Sequence, residues 1–173
     1  MSRNNDTDIR IIPPRVKGGL VLFGTHDWGT LLQQAKKNSI SRARVCTHMD
    51  NRSAVQEMPI AFMKGSYVCP HRHLGKSESF HVIEGELSVK YFDGNGKQAD
   101  RVALSASDPG KPFYFRGERE NWHTALIESE YAFIHETTTG PYEYDDRLLA
   151  PWASAEGESH QIHKFLAELR KST

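Results

Sequence analysis

An all-β domain of many short strands, with one short helix towards each end, is the fold class that this 173-residue chain predicts. Three observations carry it. Between Arg42 and about Glu136, apolar and polar residues alternate in short runs separated by turn chemistry, as half-buried strands require. On either flank the period changes to that of a helix with a single apolar stripe. The length suits one domain, burying roughly 70% of its unfolded surface and so able to build a core without disulfide staples.

The elements follow in order. Residues 1–19 are polar, then punctuated by Pro13-Pro14 and Gly18-Gly19, and read as a loose arm lying against the domain. Asp27 is placed to cap a short helix through Trp28, Leu31, Leu32 and Ala35, which Lys36-Lys37-Asn38 ends. The clearest hairpin runs through Leu87, Val89 and Tyr91 into Asp93-Gly94-Asn95-Gly96, whose glycines and Asx residues supply a tight reversal. Its partner strand is expected from about Arg101 to Leu104. Further strands are expected over Phe113–Phe115, His123–Ile127 and Tyr131–His135, with Glu128-Ser129-Glu130 as the turn between the last two. Residues 137–157 read as loop. Ile162, Phe165, Leu166 and Leu169 then form a helical stripe that docks on the barrel. The organisation is an arm to residue 19, a barrel domain with its helix over 20–157, and a terminal helix over 158–173.

Composition narrows the function. Twenty-two Lys and Arg balance twenty-two Asp and Glu, which argues against a nucleic-acid partner. No apolar run nears the 18 or so residues of a membrane span, and the polar stretch Met1–Asp8 leads into no secretory leader. Cys46 and Cys69 form no Cys-x-x-Cys pair, which fits reduced thiols in the cytoplasm.

The nine histidines matter by their distribution. In Cys69-Pro70-His71-Arg72-His73-Leu74-Gly75-Lys76-Ser77-Glu78, a strand places His71 and His73 on one face. Residues 74–77 turn the chain, so Glu78 opens the next strand pointing at the same space. Converging N and O ligands of this kind suit one divalent first-row transition metal with open positions, and iron, manganese, zinc and nickel are all compatible.

Gly65, His71, His73, Glu78 and Gly85 stand in the spacing of the first motif of the cupin superfamily, which this segment resembles. The resemblance implies a double-stranded β-helix, or jelly-roll, barrel, and a third histidine from a second motif, matched by His123 in Asn121-Trp122-His123-Thr124. That motif departs from its usual Pro-x-Gly-x-x-His-x-x-x-Asn form, with Glu118, Glu120 and Ile127 at the Pro, Gly and Asn positions. Gly117 is left to supply the turn, and Glu118-Arg119-Glu120 to reshape the loop beside the metal. A narrower likeness covers Tyr67–His73, Glu78-Ser79-Phe80, Trp122-His123-Thr124, Gly140-Pro141-Tyr142 and Pro151-Trp152-Ala153. These segments resemble the WbuC family of cupin-fold metalloproteins, associated with bacterial surface-polysaccharide gene clusters.

What the resemblance implies is a metal held by His71, His73, Glu78 and His123, a small polar ligand such as a sugar or nucleotide sugar, and a homodimer paired through edge strands. Isomerase or epimerase chemistry, iron-dependent dioxygenase chemistry and a non-catalytic sensor or binding module all remain compatible. The general base has no sequence signature.

Other residues receive plainer readings. His81 falls on the opposite strand face from Glu78 and reads as a packing or interface residue, and His135 as a hydrogen-bonded core or edge histidine. His160 and His163 read as a solvated helical pair, and Cys69 as a small buried hydrophobe, although it shares the parity of His71. In Arg42–His48, alternation puts Arg42, Arg44, Cys46 and His48 on one face and Ala43, Val45 and Thr47 on the other. The ordinary expectation is an outer strand whose charges meet water. The sharper one is that Arg44 and His48 bind an anionic substrate, a task for which the planar guanidinium fork is suited.

Overall fold

The computed structural model of the chain describes residues 9–11, 19–117, 120–143, 147–154 and 159–172. These form β1 (Ile9–Ile11), α1 (Thr25–Lys37), β2 (Arg42–Val45), β3 (Val55–Met63), β4 (His71–His73), β5 (Glu78–Glu84) and β6 (Glu86–Phe92). There follow β7 (Gln98–Ser105), β8 (Tyr114–Gly117), β9 (Trp122–Ile127), β10 (Tyr131–Thr139), β11 (Arg147–Leu149) and α2 (Ser159–Lys171). One sheet has the order β1-β2-β3-β10-β5-β8 and the other β11-β4-β9-β6-β7. All pairings are antiparallel except β1 with β2. This is the expected jelly roll of two packed sheets.

The alternation of each strand divides its side chains between three cores. Facing inward between the sheets are Met58, Ile60, Phe62, Phe80, Val82, Leu87, Val89, Leu104, Ala125, Ile127, Ala132 and Ile134. On the outside of the larger sheet, Leu31 and Ala35 of α1 cover Ala43, Val45, Ala61 and Phe133, with the Trp28 ring tilted against that of Phe133 at 4.6 Å. On the outside of the smaller sheet, Leu166 and Leu169 of α2 pack on Tyr67, Cys69, Phe92 and Leu126. The stripe through Ile162, Phe165, Leu166 and Leu169 therefore docks as its period requires.

The hairpin closes as expected, with Leu87 opposite Leu104 and Val89 opposite Val102. The Asp93 carboxylate accepts the Asn95 and Lys97 N–H groups, each at 2.9 Å, and Gly96 takes φ +85°. Gly85, the last glycine of the first motif, has φ +83°, and a Cβ there would stand 2.3 Å from the Tyr131 carbonyl oxygen. Gly85→Ala is therefore expected to cost about 2–4 kcal/mol, from left-handed strain plus a backbone clash, read as a lower urea midpoint at unchanged slope.

Four expectations need correction. Asp27 lies inside α1, not at its cap, and its carboxylate reaches back to accept the Gly24 N–H at 2.7 Å. The stretch read as loop contains the end of β10, where Thr137–Thr139 continue pairing with β3, and all of β11. The arm contributes β1, which pairs in parallel with β2. Finally, the β2 arginines do not project into water. Helix α1 claims Ala43 and Val45, so Arg42 and Arg44, opposite the core residues Phe62 and Ile60, are turned into the barrel.

Candidate metal centre

Three strands bring four side chains to one point in the barrel. His71 and His73 leave the same face of the three-residue β4, and His71 pairs with His123 of β9. Glu78 opens β5, between Gly117 of β8 and Thr138 of β10. His71, Glu78 and His123 are buried and His73 half-buried. One ligand atom from each of the four lies within 4.8 Å of all the others.

Neighbouring backbone fixes the histidines. The Nδ1–H groups of His71 and His123 donate to the Cys69 and Asn121 carbonyls, each at 2.9 Å. That leaves Nε2 as the basic nitrogen, the tautomer a metal-binding imidazole uses. His123 Nε2 is 3.1 Å from Glu78 Oε2, and His73 Nε2 is 3.4 Å from Glu78 Oε1. His73 Nε2 is sealed from water without a hydrogen-bond partner among the described residues. Basic nitrogens aimed at a carboxylate call for positive charge between them. The donor set fits a divalent cation.

The electrostatics agree. Burial, and then the nearby Arg147 guanidinium, hold His71 well below the usual imidazole range, so it stays neutral. Burial pushes the Glu78 carboxyl up, but the His123 hydrogen bond and the adjacent His73 imidazole outweigh it and keep Glu78 ionised. For His123, burial opposes protonation, while the Glu78 hydrogen bond wins and raises it.

Beside the cluster lies a cavity of about 680 Å³, whose wall includes His73, Glu78, His123, Tyr91, Phe115 and Arg116. Beside it too is Glu136, on which Arg44, Arg147 and Arg42 all act electrostatically. Burial and then the Glu78 charge push the Glu136 carboxyl up to about 8, against the pull of Arg44, Arg147 and Arg42.

Glu136 and Arg147 escaped the sequence reading. For Glu136 a signal existed: it continues the inward parity of Ala132 and Ile134. For Arg147 there was none, because three residues of β11 carry no usable alternation. Among the residues singled out earlier, Arg44 faces the interior with its Nε sealed from water. His48 lies beyond the end of β2, its Nδ1 accepting the Glu57 N–H at 3.1 Å. His81 is exposed on the outer face, its ring 5.3 Å from that of Phe113. His135 is half-buried, 3.8 Å from the Glu57 carboxylate, and His160 and His163 are exposed. Cys69 belongs to the α2 core, because β4 begins only after buried Pro70 and its parity does not extend back across it. Gly117 ends β8, and Glu120 accepts the Gly75 N–H at 3.1 Å, while Glu118 and Arg119 lie outside the described residues.

A family model described as "Domain of unknown function (DUF6016)" matches residues 24–104. The match spans α1 to β7, including His71, His73 and Glu78 but not His123. No curated protein matches the chain. Among solved structures, a Shewanella oneidensis protein is 13% identical with a TM-score of 0.51, over 69% of this chain and 75% of its own. That likeness is one of fold. The L-ribose isomerase of Cellulomonas parahominis is 18% identical at TM-score 0.47, over 58% of this chain and 60% of its own. The oxalate decarboxylase of Bacillus subtilis is 14% identical at TM-score 0.44, over 56% of this chain and 24% of its own. No helix among the described residues is long and apolar enough to cross a membrane.

Proposed function

We propose that the chain is a metal-dependent enzyme acting on a small polar metabolite, of which a sugar or nucleotide sugar is the best-supported class. The observation that carries this is the buried three-histidine, one-glutamate cluster opening on a cavity of about 680 Å³. A purely structural site would be closed, whereas a catalytic one keeps an open position beside a pocket. His71, His73, Glu78 and His123 would hold the ion, which when bound supplies Lewis-acid polarisation of a substrate oxygen or water. Tyr91 and Phe115 contribute aromatic rings to the pocket lining and Asp100 and Asn121 polar groups, a mixed lining that suits a hydroxylated ligand. The resemblance to the WbuC family in Tyr67–His73 and Trp122-His123-Thr124 supports the sugar-related context.

A homodimer is part of this reading. Strand β8 forms an edge of the larger sheet, and Tyr114 on it and Phe113 before it are exposed, a liability that pairing with a second copy relieves. A cytoplasmic location is supported by two free cysteines.

The test begins with elemental analysis of protein purified without an affinity tag. Aldose and nucleotide-sugar turnover is then followed anaerobically, beside oxygen uptake by the Fe(II)-loaded chain. Turnover without oxygen is the expected result. Oxygen consumption alone would replace this reading by the dioxygenase one, and neither activity, with the metal in place, by the sensor module.

A further inference from the structure

Of the strands that carry the ligands, β4 is the one least secured by its own ladder. It faces β11 over three residue pairs but meets β9 at a single one, His71 with His123. The spacing of these two ligands, whose rings lie 4.5 Å apart, therefore needs support from outside the ladder. That support reaches the four residues before β4. The Tyr67 carbonyl accepts Arg42 Nη1 at 2.9 Å and the Val68 carbonyl accepts the Thr124 hydroxyl. The Cys69 carbonyl accepts His71 Nδ1 at 2.9 Å and the Pro70 carbonyl the Ala150 N–H at 2.8 Å. Four successive carbonyls are thus held, each by a different part of the chain.

Thr124 is the donor that ties the two histidine strands to each other. It follows His123 on β9, so its side chain leaves the opposite, outer face. The residue is 2% exposed, and its hydroxyl crosses to Val68, which lies on the stretch leading into β4. That stretch is packed on both sides, with Tyr67 and Cys69 under α2 and Val68 against the core between the sheets. It also sets the His71 ring, because the Cys69 carbonyl takes the Nδ1 proton and leaves Nε2 for an ion. A shift of the stretch moves that carbonyl and, with it, the imidazole. Convergent side chains tolerate only about 0.5 Å of such movement.

We propose that Thr124 is a positioning residue for the metal centre, acting on His71 through the Val68 carbonyl and the stretch Tyr67–Pro70. This rests on the metal-centred reading above and adds to it how His71 and His123 are kept in register. The hydroxyl supplies across β4 and β9 a tie that their one-pair ladder lacks. Valine at 124 keeps the shape and the β-branching but leaves the Val68 carbonyl without this donor. Serine keeps the donor and loses only a methyl group.

The experiment is a zinc competition titration of the full chain, of Thr124→Val and of Thr124→Ser. Urea unfolding of the metal-free proteins runs alongside, and imidazole nitrogen chemical shifts report the His71 tautomer. Thr124→Val is expected to weaken zinc binding about tenfold, as loss of a supporting hydrogen bond behind a ligand does, and to mix a second tautomer into His71. Thr124→Ser is expected to keep the parent's affinity and its single tautomer, because the hydroxyl remains. Zinc affinity and tautomer both unchanged in Thr124→Val overturn the proposal, whatever happens to the urea midpoint. A loss that Thr124→Ser shares in full also overturns it, since the effect then follows the methyl group and not the donor. If circular dichroism shows Thr124→Val unfolded, Thr124→Ala is measured against the same criteria. A parent that binds no zinc removes the metal-centred reading, and the tautomer comparison then decides the role of Thr124 by itself.

Discussion

Replacing His71 and His73 together by alanine is expected to abolish metal binding while the barrel stays folded. Both ligands come from the three-residue strand β4, and neither belongs to the apolar core between the sheets. The loss removes two of four donors, so the affinity should fall well beyond the roughly 10–100-fold that follows loss of a mere supporting partner. His123→Ala leaves two imidazoles and Glu78, and is expected to weaken binding about 100-fold without eliminating it. Elemental analysis and a metal-competition titration read the two cases, with circular dichroism reporting the fold. Full occupancy in the double variant would refute the ligand assignment. Unchanged affinity in His123→Ala would remove that residue alone from the set.

Glu136→Gln is expected to stabilise the metal-free protein at alkaline pH and leave it unchanged in acid. The carboxyl titrates near 8 in the folded chain against an ordinary value of 4.5, because it is buried beside Glu78. Between those values the folded state keeps a proton that the unfolded state has released. The parent therefore loses stability as pH rises from about 4.5, and the loss levels off above about 8. Glutamine carries no such proton, so the variant avoids the loss, by an amount on the order of 5 kcal/mol at most. Urea unfolding of chelator-treated protein at about pH 5 and about pH 9 gives the comparison, each pH lying well to one side of the titration. Metal loading should shrink the difference, since the ion offsets the Glu78 charge that raises Glu136. Parallel pH dependence in parent and variant would show that Glu136 is not held protonated.

The sequence by itself determined whatever depends on neighbours along the chain. Alternation in Leu87-Ser88-Val89-Lys90-Tyr91 and the Asp93–Gly96 turn specify a hairpin, because period and turn chemistry are local. The spacing of His71, His73 and Glu78 likewise specified a convergent trio, since one strand face and one turn suffice to bring them together. The helical stripe of α2 named its own buried side.

Only the tertiary structure decided which face of a strand is the inside. In β2 either face could have met the core, and it was α1, lying over Ala43 and Val45, that turned Arg42 and Arg44 inward. Pro70 ended the parity that would have carried Cys69 to the cluster, and α2 took that side chain instead. Strand β11 exists because β4 offers it an edge, not because three residues could declare themselves. Arg147 and Glu136 became neighbours of the cluster through that pairing and through the closure of the two sheets. Alternation records that a strand has two faces, but burial of each is set by whatever packs on it, and that partner comes from distant parts of the chain.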